Sequence, residues 1–379
     1  MKENMKKILG SFIFLALAVG MFMVASYILR PTGSGMSRGR FSGFYAEEEN
    51  SLSIVAFGSS AVYNYINNPF LWEEFGITEY NLATGSQPTY ALPYLLKEVE
   101  KTQSPQLYVI EVRQFLTDEV LIADEMEDEE SVEESLEEDS EDLSEEEDEN
   151  STTGSMKMSE VKLRRMTDNM DYSWNRTAMI NEQVPMRDRL DYYFDIIRYH
   201  GNWEQINFAK IKYYDNAKPH AMKGWFNNFK IMPMEPNVTY TEIEPLAIPQ
   251  KNEEDLIEVL ELCKENDWEV IFLASPWQTK ENNIRKTKYV QNIVEEYGFN
   301  FFDGNQYVDE MGIDFQTDFF NKKHLNAWGS EKFTRYFVTY LLENYEFDTD
   351  YSESVVRSWD KAAEKYRKEV VKFEETGEK

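Results

Sequence analysis

The chain has 379 residues and a mass of 44.7 kDa, with 39 basic against 70 acidic side chains and a net charge of −31. That length suits one large globular domain with appendages, and so acidic a surface repels phosphate backbones, so no nucleic-acid partner is expected. The single cysteine, Cys263, excludes an internal disulfide framework or a cysteine metal cluster, and any chemistry needing imidazole must draw on His200, His220 or His324.

Residues 1–7 carry Lys2, Lys6 and Lys7 and read as a cytoplasmic N-terminus. Residues 8–29 (ILGSFIFLALAVGMFMVASYIL) form a 22-residue run without a charge, long enough to cross about 30 Å of hydrocarbon as a helix. The lysines before it place the rest of the chain outside the cell membrane. The run exceeds a usual signal h-region and no good small-residue cleavage site follows, so an uncleaved single-pass anchor is favoured over a removed signal peptide. Residues 30–50, with several Gly and Ser, read as a stalk.

From 51 to 345 short apolar runs alternate with amphipathic stretches. Strands are expected at 53–57 (SIVAF), 80–83, 107–112 (LYVIEV), 269–274 (EVIFLA) and 300–302. Helices are expected at 89–101, 253–265, 282–296 and 330–344. Continuous apolar strands alternating with helices predict an α/β fold, a three-layer αβα sandwich around a five-stranded parallel sheet. Two insertions interrupt it. Residues 122–152 are an acidic low-complexity insert. Its core, 124–149, holds 18 acidic side chains and no basic ones, and is expected to be disordered. Residues 153–250 are rich in Asn, Tyr, Trp and Met and read as a cap. There His200 and His220 are expected to be structural or exposed, and Trp174, Trp203 and Trp225 to be core. Residues 346–379 end in a charged helix whose Val355, Trp359, Ala362, Ala363, Tyr366 and Val370 share one face, expected to pack on the domain.

The residues after each strand carry the chemistry. They are Gly58-Ser59-Ser60, then Thr84-Gly85-Ser86, then Arg113-Gln114, then Ser275-Pro276-Trp277, and finally the stretch from Asp318 to His324 and Asn326. In a parallel sheet these loops meet at one edge, where ligands gather. A serine with a histidine base, and backbone N–H groups for an oxyanion, is the equipment of acyl transfer. No glycine-rich phosphate loop or metal cluster is evident, so no metal and no cofactor are expected.

These residues resemble the SGNH/GDSL hydrolase superfamily, and within it the membrane-anchored branch related to the D-alanyl transfer protein of teichoic-acid modification (DltD-like). The resemblance covers about 50–116 and 250–345. It makes Ser60 of Gly58-Ser59-Ser60 the nucleophile and Gly85 of Asn81-Leu82-Ala83-Thr84-Gly85 an oxyanion donor beside the Ser60 N–H. It makes His324 of Asn321-Lys322-Lys323-His324 the base, with Leu325, Asn326 and Gly329 following as in that branch. The stretch 164–170, with Ser173 and Arg176, also looks like related anchored proteins. Two departures stand out. The oxyanion asparagine of the third block is missing. Arg113 stands nearby instead, either binding an anionic substrate or paired with Glu111. Asn321 occupies the place of the triad acid, so Asp318 serves instead or the site is a Ser-His dyad. The resemblance implies an extracytoplasmic enzyme that transfers or removes O-acyl groups on a cell-envelope glycan or teichoic-acid-like polymer, beside a multi-span membrane O-acyltransferase. A plain esterase and a non-catalytic SGNH-like binding protein are the alternatives.

Overall fold

The computed structural model describes residues 2–29, 36–117, 158–206, 218–237 and 243–377. The acidic insert expected at 122–152 lies outside them. The chain opens with α1 (Lys2–Leu29), a helix long and apolar enough to span a membrane. Helix α2 (Met36–Tyr45) follows, then β1 (Ile54–Phe57), α3 (Ser60–Tyr63), α4 (Asn68–Phe75), β2 (Glu79–Asn81), α5 (Leu92–Val99) and β3 (Leu107–Glu111). Next come α6 (Met158–Thr167), α7 (Trp174–Gln183), α8 (Arg189–Tyr193) and α9 (Asp195–Tyr199). The sheet resumes after α10 (Gln250–Glu265) with β4 (Val270–Ala274), α11 (Glu281–Glu296), β5 (Asn300–Asp303) and α12 (Val308–Met311). A hairpin of β6 (Phe319–Asn321) and β7 (His324–Leu325) leads into α13 (Ala327–Asn344) and the last helix, α14 (Glu353–Thr376).

Five strands form one parallel sheet in the order β2-β1-β3-β4-β5. Chain order reverses between β1 and β3, and in such sheets that reversal opens a crevice at the carboxyl ends of the strands. Residues on β1 alternate between two cores. Val55 and Phe57 join Phe41 and Phe44 of α2, Leu95 of α5 and Val259 of α10. Ile54 and Ala56 join Ala61 and Val62 of α3 and Phe333 and Phe337 of α13. Each fully buried Leu, Val, Ile or Phe here contributes about 1.5–3 kcal/mol by leaving water.

The charged C-terminal helix packs as its spacing predicts. Ser352 caps it through Val355 N, Gly377 ends it at φ +68°, and its apolar face is buried. Arg367 pairs with Glu73 of α4 and Glu331 of α13.

The expected stalk is corrected in part. Within 30–50, α2 is a core helix, with Phe41 and Phe44 buried and the Tyr80 hydroxyl donating to Arg40 O (2.6 Å). Gly43, which suggests flexibility in the sequence, serves close packing. A Cβ on Gly43 would lie 2.5 Å from His220 Cβ and 2.6 Å from its backbone N. His220 sits against that face with its Nδ1 accepting from Met222 N and Gly224 N (3.3 and 2.9 Å). Burial lowers its pKa to about 3, so it is neutral and structural, as its surroundings suggest. His200 is exposed. Trp225 is buried, but Trp174 and Trp203 are exposed, against the expectation that all three are core.

Residues 218–237 form a strap across the carboxyl edge. Phe226 N donates to Tyr63 O (2.8 Å), Asn228 O accepts from Ala327 N (2.7 Å) and Met232 N donates to Phe319 O (2.8 Å). A buried ion pair anchors it: Lys223 Nζ lies 2.9 Å from both Glu47 carboxylate oxygens, 2.7 Å from Ser358 Oγ, and over the Trp359 ring. Desolvation outweighs the pairing for both partners, raising Glu47 and lowering Lys223.

Candidate active site

The turn after β1 fixes the position of the serine. Gly58 has φ +150°, and a Cβ there would lie 2.7 Å from Val62 Cγ2 and 2.8 Å from Glu111 Cβ, so no larger residue fits. Ser59 is the N-cap of α3, its side chain accepting from Ala61 N (3.3 Å). The N-cap role thus falls to Ser59, and the Ser60 side chain points elsewhere. Ser60 Oγ lies 2.7 Å from His324 Nε2. Residues 264 apart in sequence meet because the β6–β7 hairpin brings His324 to the turn that follows β1.

His324 is buried, and its ring lies 5.5 Å from that of Phe320 at an interplanar angle of 20°. Burial, reinforced by the positive charges of Arg113 and Lys323, holds its pKa well below the usual 6.5. Its Nδ1 is buried without a hydrogen-bond partner among the described residues.

Neither orienting group expected from the sequence reaches that atom. The Asp318 carboxylate accepts from Lys332 Nζ (2.6 Å), Asp314 N (2.7 Å) and Thr317 Oγ1 (3.1 Å), tying β6 to α13. Asn321 Oδ1 accepts from Lys323 N (2.9 Å) and closes the β6–β7 turn. Of the three expected arrangements, the described residues give that of a Ser-His pair without an acid.

Arg113 follows β3 and spends its donors on the protein. Nη1 donates to Lys323 O (2.8 Å), and Nη2 to Ser275 Oγ (3.2 Å) and Tyr65 Oη (3.3 Å). Its Nε is 3.8 Å from Glu111 Oε1, and its guanidinium lies 4.5 Å from the Trp277 ring centroid. Ser275 Oγ donates to Glu111 Oε1 (2.8 Å), and Arg113 N to Glu111 Oε2 (3.1 Å). Burial raises the pKa of Glu111 while Arg113 opposes it. The Tyr65 hydroxyl lies 2.8 Å from Lys323 O and 2.6 Å from Pro276 O. The ion pair with Glu111 is therefore present. Arg113 and Tyr65 also grip the carbonyl of the residue before His324, which gives Arg113 a positioning contact.

Gly85 is buried in the loop after β2. Thr84 N reaches Gly58 O (3.4 Å) and Gly85 O accepts from Arg165 Nη1 (2.9 Å), which brings this loop and α6 to the serine edge. The sequence reading gave no role to Tyr65, Ser275 or Phe320. Ser275 had a signal, since it follows the fourth strand. Tyr65 had none, because nothing in a chain read linearly shows that the residue after α3 turns back under β7.

Among the described residues no group of three His, Cys, Asp or Glu side chains could hold a metal ion. Two surface clefts of about 480 and 460 Å³, one between α10 and α11 and one between α4 and α14, contain no residue of the Ser60 cluster. No family model matches the chain, and no curated protein matches it.

Proposed function

We propose that the chain is a membrane-anchored serine enzyme of the SGNH kind, a three-layer αβα sandwich that transfers or removes O-acyl groups on a cell-envelope polymer. The observation that carries this reading is the 2.7 Å approach of Ser60 Oγ to His324 Nε2 at the carboxyl edge, beside the reversal of strand order. In the reaction Ser60 Oγ attacks an acyl carbonyl and its proton passes to His324 Nε2. The oxyanion is held by the N–H groups of Ser60 and Gly85. The tetrahedral adduct collapses, the leaving alkoxide takes the proton from His324, and an acyl-Ser60 ester remains. An acceptor hydroxyl or water then attacks that ester by the same steps in reverse, giving transfer or hydrolysis. Anchoring through α1, with the N-terminus cytoplasmic, places the domain where envelope polymers lie. A multi-span membrane O-acyltransferase is the partner that would supply acyl groups.

One observation favours a second reading, a non-catalytic SGNH-like binding module. The unpaired Nδ1 of His324 leaves an imidazolium without a counter-charge. A fluorophosphonate probe decides between them. Wild-type protein and Ser59→Ala are expected to label, and Ser60→Ala to lose labelling with its fold unchanged, with mass spectrometry placing the adduct on Ser60. Labelling that survives Ser60→Ala refutes the assignment. A folded wild type that never labels favours the binding module.

A further inference from the structure

Helix α1 does not leave the domain freely. The Phe22 and Phe194 ring centroids are 5.2 Å apart, Ser26 Oγ accepts from Ile196 N (3.3 Å), and Leu29 O accepts from Asn202 Nδ2 (3.1 Å). The apolar run is about 33 Å long at 1.5 Å per residue, close to the ~30 Å of a hydrocarbon core. The contacts from Phe22 to Leu29 cover about 10 Å of it by the same rise. Residues 194–202 therefore lie beside the last third of a membrane-spanning length, not beyond its end.

Several large apolar side chains in this region are exposed. Trp203 is 65 % exposed and Met186 83 %, and Leu190, Ile197 and Ile206 are exposed with them. Soluble surfaces rarely gather so many large apolar groups in one short segment. Arg187 and Arg198 lie among them. Tryptophan and arginine beside aliphatic side chains are the composition of a segment lying at a bilayer interface, about 5–10 Å deep.

We propose that residues 185–206 dock into the lipid leaflet at the C-terminal end of α1. The docking turns the carboxyl edge of the sheet toward the bilayer. Arg40, in the first half of α2, donates from Nε to Ala83 O (2.7 Å) just beyond β2, whereas Ser51 N, past the end of α2, donates to Gln103 Oε1 (3.0 Å) ahead of β3. The chain thus enters the domain at the edge that carries Ser60 and His324. This inference does not depend on the catalytic reading.

The test uses the full chain in nanodiscs of phosphatidylcholine and phosphatidylglycerol. Cys263 is buried, so a spin label on Trp203→Cys or Ile197→Cys reports alone, with Glu296→Cys, exposed near the amino end of β5, as the aqueous reference. Collision with a water-soluble nickel chelate is expected to fall at least fivefold at 203 and 197 relative to 296, while collision with oxygen rises. Equal nickel accessibility at all three sites overturns the proposal. So does shielding from both reagents that is found only in native membranes, which identifies a protein occupant. A label-free measurement guards against a disturbed variant. Brominated acyl chains should quench wild-type tryptophan fluorescence, and Trp203→Phe should remove at least half of that quenching. Quenching unchanged by Trp203→Phe also overturns the assignment.

Discussion

Acidification separates a histidine held by a carboxylate from one that is only buried. An imidazole at its ordinary 6.5 is about 90 % protonated at pH 5.5, so a rate that needs the free base falls roughly tenfold between pH 8 and pH 5.5. Burial, with Arg113 and Lys323 nearby, holds His324 well below 6.5. The loss of free base is therefore moved to lower pH, and the rate of fluorophosphonate labelling per folded molecule should fall less than tenfold over that range, with a midpoint below 6.5. Stability moves in the direction set by the same depressed pKa. The unfolded chain titrates near 6.5, so below that pH it takes up a proton that folded His324 refuses. Its contribution is complete above 6.5 and declines by about 1.4 kcal/mol per pH unit as the pH falls toward the folded pKa. His220, lowered to about 3, adds a second loss of the same sign. Glu47, Glu79 and Glu111, all raised by burial, act oppositely, because the folded state protonates them first as the pH falls.

The assay must therefore isolate one residue. Labelling is followed from pH 5 to pH 8 with the folded fraction tracked by circular dichroism. Urea unfolding of wild type and His324→Asn over the same range gives the His324 share as the difference between them. That difference should shrink by about 1.4 kcal/mol per pH unit below 6.5. A tenfold loss of labelling with a midpoint near 6.5, in protein that is still folded, would refute the reasoning, because it requires a histidine solvated or paired with an acid.

Three further outcomes are expected. Gly43→Ala forces a Cβ to within 2.5 Å of His220 and should destabilise by about 1–3 kcal/mol in thermal or urea unfolding; an unchanged midpoint would mean that α2 is not docked on the domain. Arg113→Lys loses the planar fork shared by Lys323 O, Ser275 and Tyr65, and should slow labelling at least tenfold with the fold retained; an unchanged rate removes its positioning role. Asp318→Ala should lower stability through the lost contacts with Lys332 and Asp314 N but leave labelling per folded molecule unchanged, whereas Asn321→Asp should keep the turn bond and retain or raise labelling. A tenfold drop for Asp318→Ala would restore Asp318 as the working acid.

The sheet was legible because buried parallel strands are nearly continuous apolar runs, and all five fall within two residues of their expected bounds. The meeting of Ser60 and His324 was legible for a related reason, since topology alone sends the residues after parallel strands to one edge. What failed was composition used as a guide to order. Gly43 read as a stalk residue, yet it is small because His220 packs against it. Trp203 read as core, yet it is exposed. Local side-chain accounts were also beyond reach. Asp318 and Asn321 both sit at plausible spacing before His324, and only the three-dimensional turn shows that Lys332 takes one and Lys323 N the other.

With no acid on His324 Nδ1 among the described residues, other groups hold the imidazole in place. In a triad the carboxylate both orients the ring and stabilises its charge. Here the two tasks are separated. Orientation comes through the backbone of Lys323, whose N–H is held by Asn321 Oδ1 while its carbonyl is held by Arg113 and Tyr65, with Phe320 against the ring beyond it. Charge stabilisation is absent on this side, and Arg113 opposes it. A site built this way keeps the near-attack geometry of Ser60 but bears the full electrostatic cost of an imidazolium. Proton transfer to His324 is then cheapest when it is brief, with the proton passing quickly to a departing oxygen. Esters and thioesters, whose leaving groups need little help, suit such a site, and amides, whose nitrogen must be protonated to depart, do not. On the proposed catalytic reading, the network around Lys323 suits O-acyl exchange.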